Sequence, residues 1–464
     1  MAREFIGRQR ELEFLDARLS EVERQGQGQY LAVRGRRRVG KSRLLAEFTT
    51  RSGLPVVDFV AEIGREGTQL ATFAQAVRTS TLPDATAYPQ APDSWSQALR
   101  SLALVLPNQG LSIVVIDEVP YLTRHDLAFE SALQAAWDRF LSPLPVLLIL
   151  VGSDQSEMER IGGYGRPMYG RGTEMVVQPL SVADTAQLTG LEPDQAIDAH
   201  LVTGGMPMLL AEWRRGEPVD AYLSRAVSDP LSALIVSGER VLSSEFPTQA
   251  NARSVLGVIG SGERTFTAIS HKSGMAGTSL ERALSLLVDR QAVAVDAPLS
   301  TRAHPKGNRY RVADPYLRFW FRFLAGRITD IEAGRADTVL AAIRSGWSPW
   351  RGKAVEPIIR DLLWRSRGLV PDSGAVGGWW TRNNAVEVGL VGADRGPVAD
   401  EITFLGLIKW RDRAPIDTDD LLALVKARDL VPGAQGAPLV AVSRSGFTVS
   451  EGLTTITPED LVRR

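Results

Sequence analysis

The sequence predicts an α/β chain in which a parallel sheet flanked by helices is followed by a winged helix-turn-helix and a second α/β domain. Three observations predict it. The apolar run Tyr30-Leu31-Ala32-Val33 leads into Gly35-Arg36-Arg37-Arg38-Val39-Gly40-Lys41-Ser42 and then Arg43-Leu44-Leu45-Ala46-Glu47-Phe48, whose apolar residues have helical spacing. The run Ile113-Val114-Val115-Ile116 ends in Asp117-Glu118, the pattern of a buried parallel strand with carboxylates at its C-terminal edge. Residues 251–311 read as three helices and a two-stranded ribbon.

A chain of 464 residues is too long for one core, and at ~150 residues per domain about three domains are expected. The net charge of -1 gives no global attraction to nucleic acid or an anionic membrane, so a polyanionic partner must be met by a local patch. The absence of cysteine excludes disulfides and thiolate metal sites and fits a cytoplasmic location. The charged start Met1-Ala2-Arg3-Glu4-Phe5 lacks the apolar core of a signal peptide. No apolar run approaches the ~20 residues of a membrane span.

In chain order, Phe5-Ile6-Gly7-Arg8 forms a turn before an amphipathic helix through Leu15 and Leu19. Just upstream of the glycine loop, Ile6 and Gly7 are expected to pack against a nucleotide base. The loop itself fits G-x-x-x-x-G-K-[ST], the phosphate-binding loop: its glycines let backbone N–H groups turn toward phosphate oxygens, beside the positive end of the next helix. Gly35 to Arg43 are therefore expected around the phosphates of ATP, with Lys41 on the β- and γ-phosphates and Ser42 on Mg²⁺. Pro55 to Val60 is a predicted strand, and residues 80–95 form a loop before a helix carrying Trp95, Leu99 and Leu102. Asp117 is expected to help hold Mg²⁺, and Glu118 to orient or deprotonate the attacking water. The strand Pro145 to Ser153 also ends in a polar residue, and Ser153 is expected to sense the γ-phosphate. In the turn Arg166-Pro167-Met168-Tyr169-Gly170-Arg171, Arg171 is expected to lend charge to the transition state, with Arg166 the alternative.

These motifs together resemble the archaeal-type ATPases on the AAA+/STAND side of the P-loop NTPases. Thr203-Gly204-Gly205-Met206-Pro207 is similar to the Gly-Gly-x-Pro of their helical lid. The resemblance covers about the first 230 residues. It implies a P-loop core over residues 1–180, a helical lid over 181–250, and Pro207 behind the nucleotide.

In the middle of the chain, Ser254 to Ile259, Thr265 to Ser270 and Thr278 to Arg290 are predicted helices, the last with Leu280, Leu284 and Leu287 on one face. Val293 to Val295 and Arg309 to Val312, joined through Pro305-Lys306-Gly307-Asn308, complete a winged helix-turn-helix over 251–325. Nine Lys/Arg against four Asp/Glu over 251–311 make it locally basic. Lys272, Arg282, Arg302, Lys306 and Arg309 are expected to meet the phosphates of duplex DNA. The aromatic-arginine run Tyr316 to Phe323 is read as a packing helix at a junction.

Residues 326–464 resemble the restriction-endonuclease-like domain found at the end of many such ATPases. A helix is expected to open at Gly352 and run to Trp364, followed by strands at Ala385–Val391 and Thr403–Trp410. Glu356, Glu387 and Lys409 match the nuclease pattern, but its aspartate falls on Gly389 and its second glutamate on Leu407, neither of which offers an oxygen ligand. Glu387 is expected on the other face of the sheet from Gly389. The domain is thus expected to keep the fold without the chemistry. The functional expectation is a Mg²⁺-dependent ATPase that drives a DNA-contacting second half, with a homo-oligomer required if the arginine acts in trans. The alternatives are a signalling or scaffold switch with a protein partner, and an active nuclease.

Overall fold

In the computed structural model, residues 5–123, 128–246, 249–275, 277–303 and 307–462 are described, and the chain divides into two compact units, Met1–Leu180 and Ser181–Arg464. The first is built on five parallel strands: β1 (Gln29–Arg34), β2 (Val56–Val60), β3 (Ser112–Asp117), β4 (Val146–Gly152) and β5 (Thr173–Val176), in the order β2-β3-β4-β1-β5. After β1 the chain crosses to the far edge of the sheet, whereas after β4 it crosses the other way. The crevice between these two neighbours is a topological switch point, where open α/β sheets bind ligands. Because all five strands are parallel, the segments following β1, β3 and β4 emerge side by side.

The apolar runs of the three inner strands follow from burial on both faces. Leu31, Val33, Ile113, Val115, Leu147 and Ile149 face one layer, where Leu12, Leu15, Leu44 and Phe48 cover them from helices Gln9–Gln25 and Lys41–Ser52. Ala32, Val114, Ile116, Leu148 and Leu150 face the other. Helices Glu66–Arg78, Trp95–Val105 and Ala128–Ala136 cover that side, with Phe73, Trp95 and Phe129 packed edge to face.

The second unit begins at Ser181, whose hydroxyl caps helix Val182–Thr189 reciprocally with Asp184. Helices then lead to Ala250–Gly260, Phe266–Ser273 and Gly277–Asp289, followed by the antiparallel pair β6 (Val293–Asp296) and β7 (Arg309–Val312), in the order expected. The expected boundaries at 250 and 325 do not separate cores, because one apolar cluster runs from Ala199 to Ile343. Within it Phe319, Trp320 and Phe323 are buried, and Tyr316 and Trp320 donate to the carbonyls of Leu234 and Ile235 at 2.9 and 3.2 Å. The aromatic run is a packing element, as expected.

The helix expected to open at Gly352 is instead two helices. Ala336–Ala354 arrives from upstream, and Glu356–Arg365 starts afresh with Pro357 in its first turn, since proline lacks the N–H needed to continue a helix. Beyond it lies a mixed sheet of β8 (Ala375–Trp380), β9 (Glu387–Ala393), β10 (Ile402–Lys409), β11 (Leu439–Ser443) and β12 (Thr454–Ile456), in the order β12-β11-β10-β9-β8. Strands β8, β9 and β10 are antiparallel, and β10, β11 and β12 parallel. A buried polar cluster ties this sheet to helix Pro193–Thr203: Asp198 accepts from Arg351 and from the Trp410 indole, both at 2.9 Å. No helix among the described residues is long and apolar enough to cross a membrane.

Candidate active site

The glycine loop leaves the C-terminal end of β1. A Cβ at Gly35 would lie 2.4 Å from the Val177 carbonyl oxygen, so only glycine lets the loop pass there. Gly40, at φ 94°, starts the helix from the left-handed region that glycine enters freely. Lys41 is buried, and its Nζ donates to the carbonyls of Gly35 and Arg36 at 2.8 and 3.1 Å. Burial pushes its pKa down to about 8, although the nearby Glu118 and Asp117 carboxylates oppose the shift. Ser42 Oγ donates to Asp117 Oδ2 at 2.7 Å, while Asp117 Oδ1 accepts the Glu118 backbone N–H at 2.7 Å.

Glu118 itself has φ 55°, an unfavourable conformation for a side-chain-bearing residue, which here turns the chain off the end of β3. Ser153, one residue beyond β4, donates to both carboxylate oxygens of Glu118, at 2.8 and 2.9 Å. Arg37 reaches across to the same group, donating to Ser153 Oγ at 3.3 Å and to the Tyr121 hydroxyl at 3.1 Å. The structure therefore brings Lys41, Ser42, Asp117, Glu118 and Ser153 to one edge of the sheet. The donor set suits a hard cation: a hydroxyl and a buried carboxylate in mutual contact at the mouth of an amide-lined loop fit Mg²⁺, which takes one or two carboxylates, water and phosphate oxygens.

Arg8 adds a contact behind the loop that the sequence motif does not specify. Its guanidinium is buried and donates to the Val39 carbonyl at 2.7 Å and the Gln178 carbonyl at 2.5 Å, with Glu11 paired at 2.7 Å. It clamps the loop from behind, so Phe5-Ile6-Gly7-Arg8 is tied to the loop through this arginine. Its position just after Gly7 was the available signal. Ile6 and Gly7 lie immediately before it, with Gly7 at φ 80°.

Two expected site residues of the first unit, Arg171 and Arg166, are not brought to this edge. Thr173 pairs with Leu31 in the parallel register, and a Cβ on Gly172 would collide with Tyr30, the second residue of β1. Arg171 thus stands at the N-terminal edge of the sheet, on the order of 15 Å of strand from the loop. Its guanidinium forms a two-pronged pair with Asp138 at 2.8 and 2.9 Å. This placement does not suit action on a nucleotide held by the same chain. Arg166 is paired with the buried Glu130. Pro207 belongs to the second unit, where it opens helix Pro207–Ala211; Gly204 just before it is required because a Cβ would meet Asp314 Oδ1 at 2.9 Å and the Tyr316 nitrogen at 3.0 Å.

At the nuclease-like positions, Lys353 bridges Glu356 and Glu387 at 3.2 Å each, Arg360 pairs with Glu356 at 3.0 Å, and Arg309 pairs with Glu387 at 3.0 Å. A Cβ on Gly389 would lie 3.8 Å from Glu356 Cδ. Glu387 and Gly389 therefore both lie toward Glu356, correcting the expectation of opposite faces; residues two apart on a strand share a side. Lys409 is the residue that faces away. It pairs at 3.0 Å with Asp420 of helix Thr418–Arg428, and Leu407 joins that helix's Leu424 in the opposite core layer. No cluster of three metal-binding side chains occurs among the described residues. On the wing, Lys306 lies outside the described residues, Arg302 is exposed, and Arg309 is buried over the Trp380 ring at 4.1 Å, which removes it from the outer surface.

Over 414 residues, 88% of each chain, the protein is 22% identical to an uncharacterized protein of Methanocaldococcus jannaschii. A family model described as "Archaea bacterial proteins of unknown function" matches residues 320–421. Among solved structures, the chain is similar to the Walker-type ATPase of Pyrococcus abyssi, at 18% identity over 68% of this chain and 96% of that one, with a TM-score of 0.49. It is also similar to the ORC2 protein of Aeropyrum pernix, at 13% identity over 74% of this chain and 96% of that one, with a TM-score of 0.46.

Proposed function

We propose that the protein is a Mg²⁺-dependent ATPase whose nucleotide state is passed to a DNA-contacting second unit. The observation that carries this reading is the chain of contacts Ser42–Asp117 and Glu118–Ser153 around the buried Lys41, at the switch point of a parallel sheet. The loop amides receive the phosphates, and Lys41 Nζ exchanges the Gly35 and Arg36 carbonyls for phosphate oxygens. Ser42 and Asp117 would hold Mg²⁺, which would supply positive charge to offset that of the phosphates. Glu118 orients the attacking water and accepts its proton, and Ser153 holds the carboxylate in place until then.

For the second unit, the support is the three-helix and hairpin segment, with Arg282 exposed on the third helix. The Glu356 and Glu387 carboxylates, saturated by Lys353, Arg360 and Arg309, are unsuited to hold Mg²⁺ for phosphodiester cleavage. The test is Glu118→Gln, expected to bind ATP like the wild type and to slow hydrolysis by at least about a hundredfold. Unchanged hydrolysis would refute the assigned mechanism. DNA contact is checked separately, by duplex binding that weakens steeply with salt and is reduced by Arg282→Ala.

A further inference from the structure

Of the cations that give residues 251–311 their basic charge, Arg309 is buried and Arg311 half-buried. Arg264, Arg309 and Arg311 line a cavity of about 420 Å³ within the second unit, walled on one side by the helix-hairpin segment and on the other by residues 349–387. Seven Arg and Lys side chains meet three carboxylates in its lining. Four of the seven are ion-paired inside the wall: Arg311 with Asp296 at 2.9 Å, and Arg309, Lys353 and Arg360, which share Glu356 and Glu387.

That leaves Arg264, Arg318 and Arg322 with no carboxylate partner among the described residues. Arg318 donates one hydrogen bond, to the Ala354 carbonyl at 3.0 Å, and burial pushes its pKa down to about 10. This half-buried guanidinium has donors left over after one neutral acceptor, and an anion seated beside it would take them. The lining also includes Tyr310, Trp350 and Trp380, flat surfaces on which a base or a guanidinium stacks. The volume is that of a small-molecule site, well short of the width of a duplex.

We propose that this cavity is a second ligand site, separate from the phosphate loop, for a phosphorylated polyanion of mononucleotide size held by Arg264, Arg318 and Arg322. Three guanidiniums and an adjoining aromatic wall supply charge-assisted, forked hydrogen bonds to phosphate oxygens and a face for a planar group. The site joins the helix-hairpin segment to the nuclease-like sheet, so its ligand bridges the two.

The test uses the full chain carrying Lys41→Ala, which disables the phosphate loop, with inorganic pyrophosphate and ADP as titrants in calorimetry at low salt. One pyrophosphate per chain is expected, displaced by ADP. Arg264→Ala and Arg322→Ala, both at exposed positions, should each weaken binding about tenfold or more. Arg344→Ala, an arginine paired with Asp220 elsewhere in the unit, should leave it unchanged. Absence of pyrophosphate binding, or equal loss in all three variants, would overturn the proposal.

Discussion

The two sheets of this protein both carry carboxylates at strand ends, and what surrounds those carboxylates differs completely. At the end of β3, Asp117 and Glu118 are held by hydroxyls and a backbone N–H, from Ser42, Ser153 and Glu118 itself. At the start of β9, Glu387 and its neighbour Glu356 are held by Lys353, Arg309 and Arg360. A carboxylate bonded to a hydroxyl keeps lone pairs that a cation or a water can take at small cost. One enclosed by guanidiniums must first break strong, partly buried ion pairs. Although burial alone would raise it, the Glu387 pKa is held below the ordinary carboxylate range by Lys353 and Arg309. The neighbours decide which carboxylates remain available for chemistry, more than the presence of an acid at a strand end does.

The sharpest way to break this contrast is Lys41→Ala, expected to reduce ATP affinity and turnover by at least about a hundredfold in a fluorescent-nucleotide and phosphate-release assay. Lys409→Ala in the second sheet should leave both unchanged, because Lys409 pairs with Asp420 of its own layer. Next in size, Arg8→Ala removes the buried clamp behind the loop and should cost about 2 kcal/mol in denaturant unfolding of the first unit, partly recovered on adding ATP. A loss confined to ATP affinity with no change in stability would show that Arg8 touches nucleotide instead. Ser153→Ala frees Glu118 from its holder and should lower kcat about tenfold with KM little changed. An equal fall in affinity would mean that Ser153 contacts the phosphate directly.

The smallest effect is on pH. Lys41, lowered to about 8 in the folded protein, is charged below that value and neutral above it. ATP affinity should therefore be flat below pH 8 and fall severalfold by about pH 9. Pyrophosphate binding at the arginine-lined cavity should not fall across the same range, since even Arg318, lowered to about 10, is still largely charged at pH 9. A flat profile at both sites would place the Lys41 pKa back at its ordinary value.

Much of the first unit was legible because its signals are local. The loop, the strand before it and the acids after Ile116 need only their own neighbours in sequence to be read, and all fall where expected. What was not legible depends on register and on distant partners. Arg171 reads as a finger by its glycine turn, yet the pairing of Thr173 with Leu31 carries it to the opposite end of the sheet. Arg309 reads as a surface cation by its place on a hairpin, yet it is buried against Trp380, a residue 71 positions away. Lys409 keeps its spacing from Leu407, but strand alternation turns both toward helix Thr418–Arg428 and away from Glu356. Charge counts over a segment cannot say which way the charges point.

The central claim, that hydrolysis belongs to the first sheet and is absent from the second, is tested most directly by following phosphate release and supercoiled plasmid in one reaction with ATP and Mg²⁺. The wild type should release phosphate and leave the plasmid intact, and Glu118→Gln should release little phosphate and leave the plasmid equally intact. Mg²⁺-dependent nicking that disappears in Glu356→Ala, or phosphate release that survives Glu118→Gln, would contradict it.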